Sequence, residues 1–90
     1  MGKPFTWNQQ KNEWLKKNRG ISFEEVVDRL ATDLLDVRQN TSKRHPLQLV
    51  FIVKITNYIW VVPFEESETE IQLKIAFPDR RLAKEFKLEK

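Results

Sequence analysis

The apolar residues of this 90-residue chain change period near residue 47, and that change limits what the chain can fold into. Before it the pattern is helical. Ser22 and Glu25 form an S-x-x-E capping box, and Ile21 is placed to pack on Val26 as a hydrophobic staple, so a helix starts here. Phe23, Val26, Val27, Leu30, Ala31, Leu34 and Leu35 then recur at the spacing of one helical face, with acids mostly on the other. An earlier helix is expected over residues 9 to 18, with Asn8 as N-cap and Gly20 where a left-handed C-terminal cap sits. Trp14, Leu15 and Trp7 would supply its buried side.

Beyond residue 47 the period is that of extended chain. The runs Leu47 to Thr56 and Tyr58 to Phe64 are β-branched and aromatic, and Asn57 lies between them where a tight hairpin turn is expected. A third strand alternates Ile71, Leu73, Ile75 and Phe77 against Gln72, Lys74 and Ala76, burying one face and presenting Lys74 on the other. Asp79 follows Pro78 and can cap a short last helix whose Leu82, Ala83 and Phe86 pack back on the sheet. Residues 37 to 46 read as loop, with a short edge strand at their start. The expected fold is α+β: a small antiparallel sheet with two N-terminal helices and a C-terminal helix, the helices covering one sheet face. With two glycines, four prolines and no repeat or linker, residues 1 to 90 read as a single domain.

Folding a chain of this size buries only about 60 to 65% of its unfolded surface, so a shallow groove is expected rather than a deep cavity. Such a groove suits a polymer. There is no cysteine, which excludes a disulfide framework and a thiolate metal site, and with one histidine, in a polar loop, nucleophilic-triad chemistry lacks support. No cofactor is implied. No apolar run approaches the roughly 18 to 20 residues that span a bilayer, and the first residues lack an apolar signal core, so a cytoplasmic protein is expected.

The net charge is +3, and its distribution says more than its size. Glu24, Glu25, Asp28, Asp33 and Asp36 face a single Arg29 in one stretch, and Glu65, Glu66, Glu68 and Glu70 form another. Basic residues gather as Lys11, Lys16, Lys17 and Arg19, then Lys43, Arg44 and Lys54, and finally Lys74, Arg80, Arg81, Lys84 and Lys87. If these three groups share a face, the domain is electrostatically two-sided.

The block Phe5-Thr-Trp7, Lys11, Leu15 and Gly20-Ile-Ser-Phe-Glu-Glu-Val26 resembles the opening of the BrnT family, small ribonuclease toxins of bacterial toxin-antitoxin pairs. The resemblance extends more loosely along the chain. Lys74 stands where the family commonly has a strand arginine, and Arg80-Arg81 where it has a basic pair opening the last helix, with an offset of about one residue. It implies a RelE-like fold, RNA as substrate, a cognate antitoxin protein as partner and assembly through that antitoxin. Arg19 departs from the pattern, since relatives commonly carry a histidine immediately before the glycine.

Cleavage by a ribose 2'-hydroxyl needs a group to take its proton, cations for the crowded phosphorane and a donor to the departing oxygen. Arg80 and Arg81 are the candidates for phosphate contact, because guanidinium forks fit phosphate oxygens. The plainer reading makes them solvated residues in a helix's first turn. Lys74 is the candidate general base or phosphate anchor, and Lys54, in an otherwise apolar strand, is similar. Lys11 and Arg19 are candidates for substrate binding, although the stem of Lys11 could simply cover Trp7 or Trp14. His45 is a candidate replacement proton carrier or an ordinary exposed loop residue. Trp7, Trp14, Trp60 and Tyr58 could stack on bases, but core and hairpin packing is their commoner use.

Overall fold

A computed structural model describes residues 2–39 and 48–87. His45, Lys43 and Arg44, with the rest of the expected loop from residue 40 on, lie outside the described residues. The order of elements is β1 (Phe5–Trp7), α1 (Gln9–Asn18), α2 (Phe23–Asp33), β2 (Leu34–Gln39), β3 (Leu49–Ile55), β4 (Tyr58–Glu66), β5 (Ile71–Leu73), β6 (Phe77–Pro78) and α3 (Arg80–Glu85).

The helix starts follow their caps. The side chains of Asn8, Ser22 and Asp79 accept from the backbone N–H of Lys11, Glu25 and Leu82, and Gly20 takes φ +71° between the first two helices. Asn12 adds a joint that the cap pattern does not reveal. Fully buried, it accepts the Phe23 N–H at 2.7 Å and donates to Glu24 at 2.8 Å, tying α1 to the first turn of α2. That amide holds the Glu24 carboxyl below its usual range.

The fold of the described residues is α+β with three helices on a mixed sheet of strand order β1-β5-β4-β3-β2, β6 also pairing with β4. Three antiparallel strands were expected. The additional ones are short or local: β1 joins β5 in parallel through Phe5, Thr6 and Trp7, and β2 is an edge strand antiparallel to β3. The helix expected to run through Leu35 ends at Asp33, so Leu34 and Leu35 belong to β2, where they are 42% and 40% exposed. Ladder bonds to the otherwise open edge of β3 replace the last helical turn, and a low-propensity Thr32-Asp33 pair sits at the change.

Both sheet faces are covered, not one. Phe51, Val53, Ile55, Trp60, Val62 and Phe64 point under α1 and α2 with Leu15, Phe23 and Val26. Val50, Ile52, Ile59 and Val61 point the other way, under Leu82 and Ala83 of α3 and the Phe86 that follows it. The physical cause is the unbroken apolar run in β3 and β4, which leaves neither face polar enough for water.

The expected third strand is interrupted. From Phe64 to Val61 is three steps along β4, while their partners Leu73 and Phe77 are four steps apart, so one extra residue bulges out between β5 and β6. An extra residue reverses the alternation. Leu73 therefore packs with the α1–α2 core, whereas Phe77 packs with α3, although both were expected on one face.

Candidate functional site

Three neighbouring residues at the bulge, Lys74, Ile75 and Ala76, connect most of the candidate side chains. Lys74 anchors its backbone N–H to the Pro63 carbonyl at 2.9 Å, and its Nζ reaches Gln72 Oε1 at 3.4 Å and Glu65 Oε1 at 3.9 Å. This puts it on the sheet face that carries α3. Ile75 lines a shallow cavity of about 480 Å³ with Asn8, Gln10, Lys11 and Trp14 of the first helix region. The Ala76 carbonyl, lost to the ladder, accepts Arg19 Nη1 at 2.6 Å.

Arg19 is thus held at both ends. Its guanidinium also lies 4.7 Å over the Trp14 ring. Trp14 was expected in the core and instead is 44% exposed, because Asn12 and Leu15, not Trp14, face the sheet from α1.

Arg81 borders a second groove, of about 330 Å³, on the α3 side. Val50, Ile52 and Val61 form its floor, Phe77 and Asp79 one wall, and Arg38 of β2 stands across from Arg81. Among the described residues the Arg81 side chain takes no hydrogen bond or ion pair, while Arg80 is exposed in the same first turn of α3. A cation at a helix N-terminus meets the positive end of the macrodipole, so this charge is not there to stabilise the helix.

Arg38 sits in the segment expected to be mostly loop and was not among the candidates. Its Nε donates to Asp36 at 2.8 Å, its Nη atoms grip both oxygens of Glu85, and its guanidinium lies 5.7 Å from the Phe86 ring. These carboxylates push the guanidinium's pKa further up, and it holds Asp36 and Glu85 below the usual carboxylate range. The effect is to pin α3 to the edge strand. An aspartate two residues before an arginine on a strand is a weak signal, and the partner Glu85 is 47 residues away.

The candidates divide into three places. Lys74, Arg80 and Arg81 share the α3 side. Lys11 and Arg19 stand around the same bulge on the α1 side. Lys54 shares the sheet face of Val50 and Ile52 but sits opposite Ile59, beside a separate hollow lined by Arg29, Asp33 and Thr56. The four steps along β4 from Ile59 to Pro63 put about 13 Å of strand between Lys54 and Lys74, with α3 packed over the same face. The basic groups therefore do not form one face: the α1 group lies with acidic α2 on one side of the sheet and the α3 group on the other.

Among the described residues no cluster of three or more His, Cys, Asp or Glu side chains could hold a metal ion, and no helix is long and apolar enough to cross a membrane. Fold and site define a small α+β domain with Lys11, Arg19 and Lys74 around one sheet bulge and Arg81 on a separate groove. Comparisons with known protein families, with curated proteins and with solved structures find no match.

Proposed function

We propose that this protein is a cytoplasmic RNA-cleaving toxin of the BrnT type, RelE-like in fold, held in check by a cognate antitoxin that also sets its assembly. The resemblance of residues 5 to 26 supplies the family. The observation that carries the reading to a site is Arg81 lining an open groove on the sheet face to which Lys74 also belongs.

In this reading Arg81 supplies a guanidinium fork to a phosphate oxygen and Arg80 a second cation in the same helical turn. Lys74 serves as the phosphate anchor or the general base. Together they stabilise charge as it develops on the phosphorane. Lys54 takes no part in that cluster.

One observation favours a second reading, a relative that binds RNA or a protein partner without cleaving. The carboxylates nearest the cluster are engaged, Asp79 as a cap, Asp36 and Glu85 on Arg38, and Glu65 beside Lys74. Arg19, at the position where relatives commonly carry histidine, is engaged with Ala76. A proton acceptor for the 2'-hydroxyl is the part this arrangement supplies least well.

The test is growth after induction of the protein alone in a bacterial host, with the R80A/R81A variant at equal expression beside it. Growth arrest and RNA breakdown by the parent only support the toxin reading and this cluster. Normal growth of both leaves the binding reading, and equal arrest by both removes the arginines from the site.

A further inference from the structure

We propose that the cavity between α1 and the bulge is a subsite for one unpaired RNA base, stacked on Trp14; this deepens the RNA reading above and rests on it. The indole is exposed on a helix that buries only Asn12 and Leu15, so its position is not explained by the core. It is nonetheless fixed. Arg19 lies over the ring at 4.7 Å and is itself pinned to the Ala76 carbonyl at 2.6 Å. Trp14 lines the cavity, and Arg19 does not.

The lining matches the three parts of a nucleotide. Trp14 offers a π-face to a base, and Ile75 an apolar wall beside it. Gln10 and Asn8 bring amides that can address the base's polar edge. Lys11, whose ammonium takes no ion pair among the described residues, stands ready for the adjoining phosphate. A stacking surface already held in place loses little freedom when the base arrives.

The position also fits the cationic cluster. Ile75 of the cavity directly follows Lys74, whose side chain lies on the other sheet face toward Glu65. A single strand passing from the cavity over the bulge would rest a base on Trp14 and continue toward the sheet face of Lys74. Trp7 does not offer such a surface, since it stacks on Phe23 at 5.7 Å and donates to Gln9.

The experiment compares binding of a ten-nucleotide uridine RNA with that of an equally long abasic RNA, by fluorescence anisotropy, for the parent, W14A, W14F and R81A. Losing one base–aromatic stack should weaken W14A for the uridine RNA by roughly 5- to 150-fold. W14F should retain most of the affinity, and the abasic probe should bind W14A and parent alike. R81A should weaken both probes. If W14A matches the parent on uridine RNA while R81A is weakened, the subsite falls and the RNA reading stands. Equal weakening of W14A on both probes also overturns the stack. If the parent binds neither probe, the RNA reading falls and takes the subsite with it.

Discussion

Arg19 Nη1 donates to the Ala76 carbonyl at 2.6 Å, closing a link across 57 residues between the end of α1 and the one irregular point in the β5–β6 strand. A bulge leaves a backbone carbonyl without its ladder partner, and a half-buried carbonyl without a partner is costly. The guanidinium supplies that partner. Removing it in R19A should lower unfolding stability by about 1.5 to 3 kcal/mol, the range for a hydrogen bond to a charged group. Urea unfolding would read this as a lower midpoint with unchanged slope. An unchanged midpoint would mean that water replaces the guanidinium at no cost.

Acid should loosen the contact between α3 and the edge strand. Glu85 is held below the ordinary carboxylate range chiefly by hydrogen bonds from Arg38, and Asp36 by Arg38 and then by the Val37 N–H. A depressed folded-state pKa gives stability that is present above the unfolded values, about 3.9 for Asp and 4.3 for Glu, and is lost as pH falls through the folded value. These groups therefore give a flat profile from about pH 5 upward and a decline below about pH 4. The E85Q variant keeps the shape of the side chain but not its charge. Thermal unfolding from pH 3 to 7 should show a smaller acid decline in E85Q than in the parent, and parallel curves would remove Glu85 from the effect.

The caps, both main strands and the last helix were legible because each rests on a local rule: Asn8, Ser22 and Asp79 cap within three residues, and Asn57 marks the turn. The failures have one common cause, that the deciding partner is distant in sequence. Leu34 and Leu35 continue the apolar spacing of α2, and only the open edge of β3 explains why they leave the helix. Strict alternation from Ile71 to Phe77 hides the bulge, which depends on the register against β4 and on Arg19. The same holds at the site. Residue type nominated Lys74 and Arg81, but Arg38 and the exposure of Trp14 follow from contacts made across the sheet and across α1.

The β3–β4 turn carries removable strain. Thr56 and Asn57 have φ of 54° and 63°, so both central residues of the two-residue hairpin are left-handed, as a type I' turn requires. Asparagine tolerates that region; a β-branched threonine does not. Replacing the pair with Asn-Gly, in T56N/N57G, should raise stability by about 1 kcal/mol. For a domain of this size that is a melting temperature about 4 to 8 °C higher. Both side chains are exposed and far from the bulge, so RNA binding should not change. A lower melting temperature would show that the Thr56 side chain contributes more than its backbone costs.

The division of the lysines and arginines makes the RNA reading quantitative. A cation that neutralises one phosphate of a single strand adds about 0.7 to the slope of log affinity against log salt concentration. Arg81, on the groove and without an ion pair among the described residues, should make such a contact, so R81A should weaken binding of the uridine RNA and reduce that slope by about 0.7. Lys54 carries the same charge on the same sheet face but beyond α3, and K54A should leave the slope unchanged. Net charge falls by one in both variants. A general electrostatic attraction would therefore shift both alike, and only a strand lying along the Lys74–Arg81 side separates them.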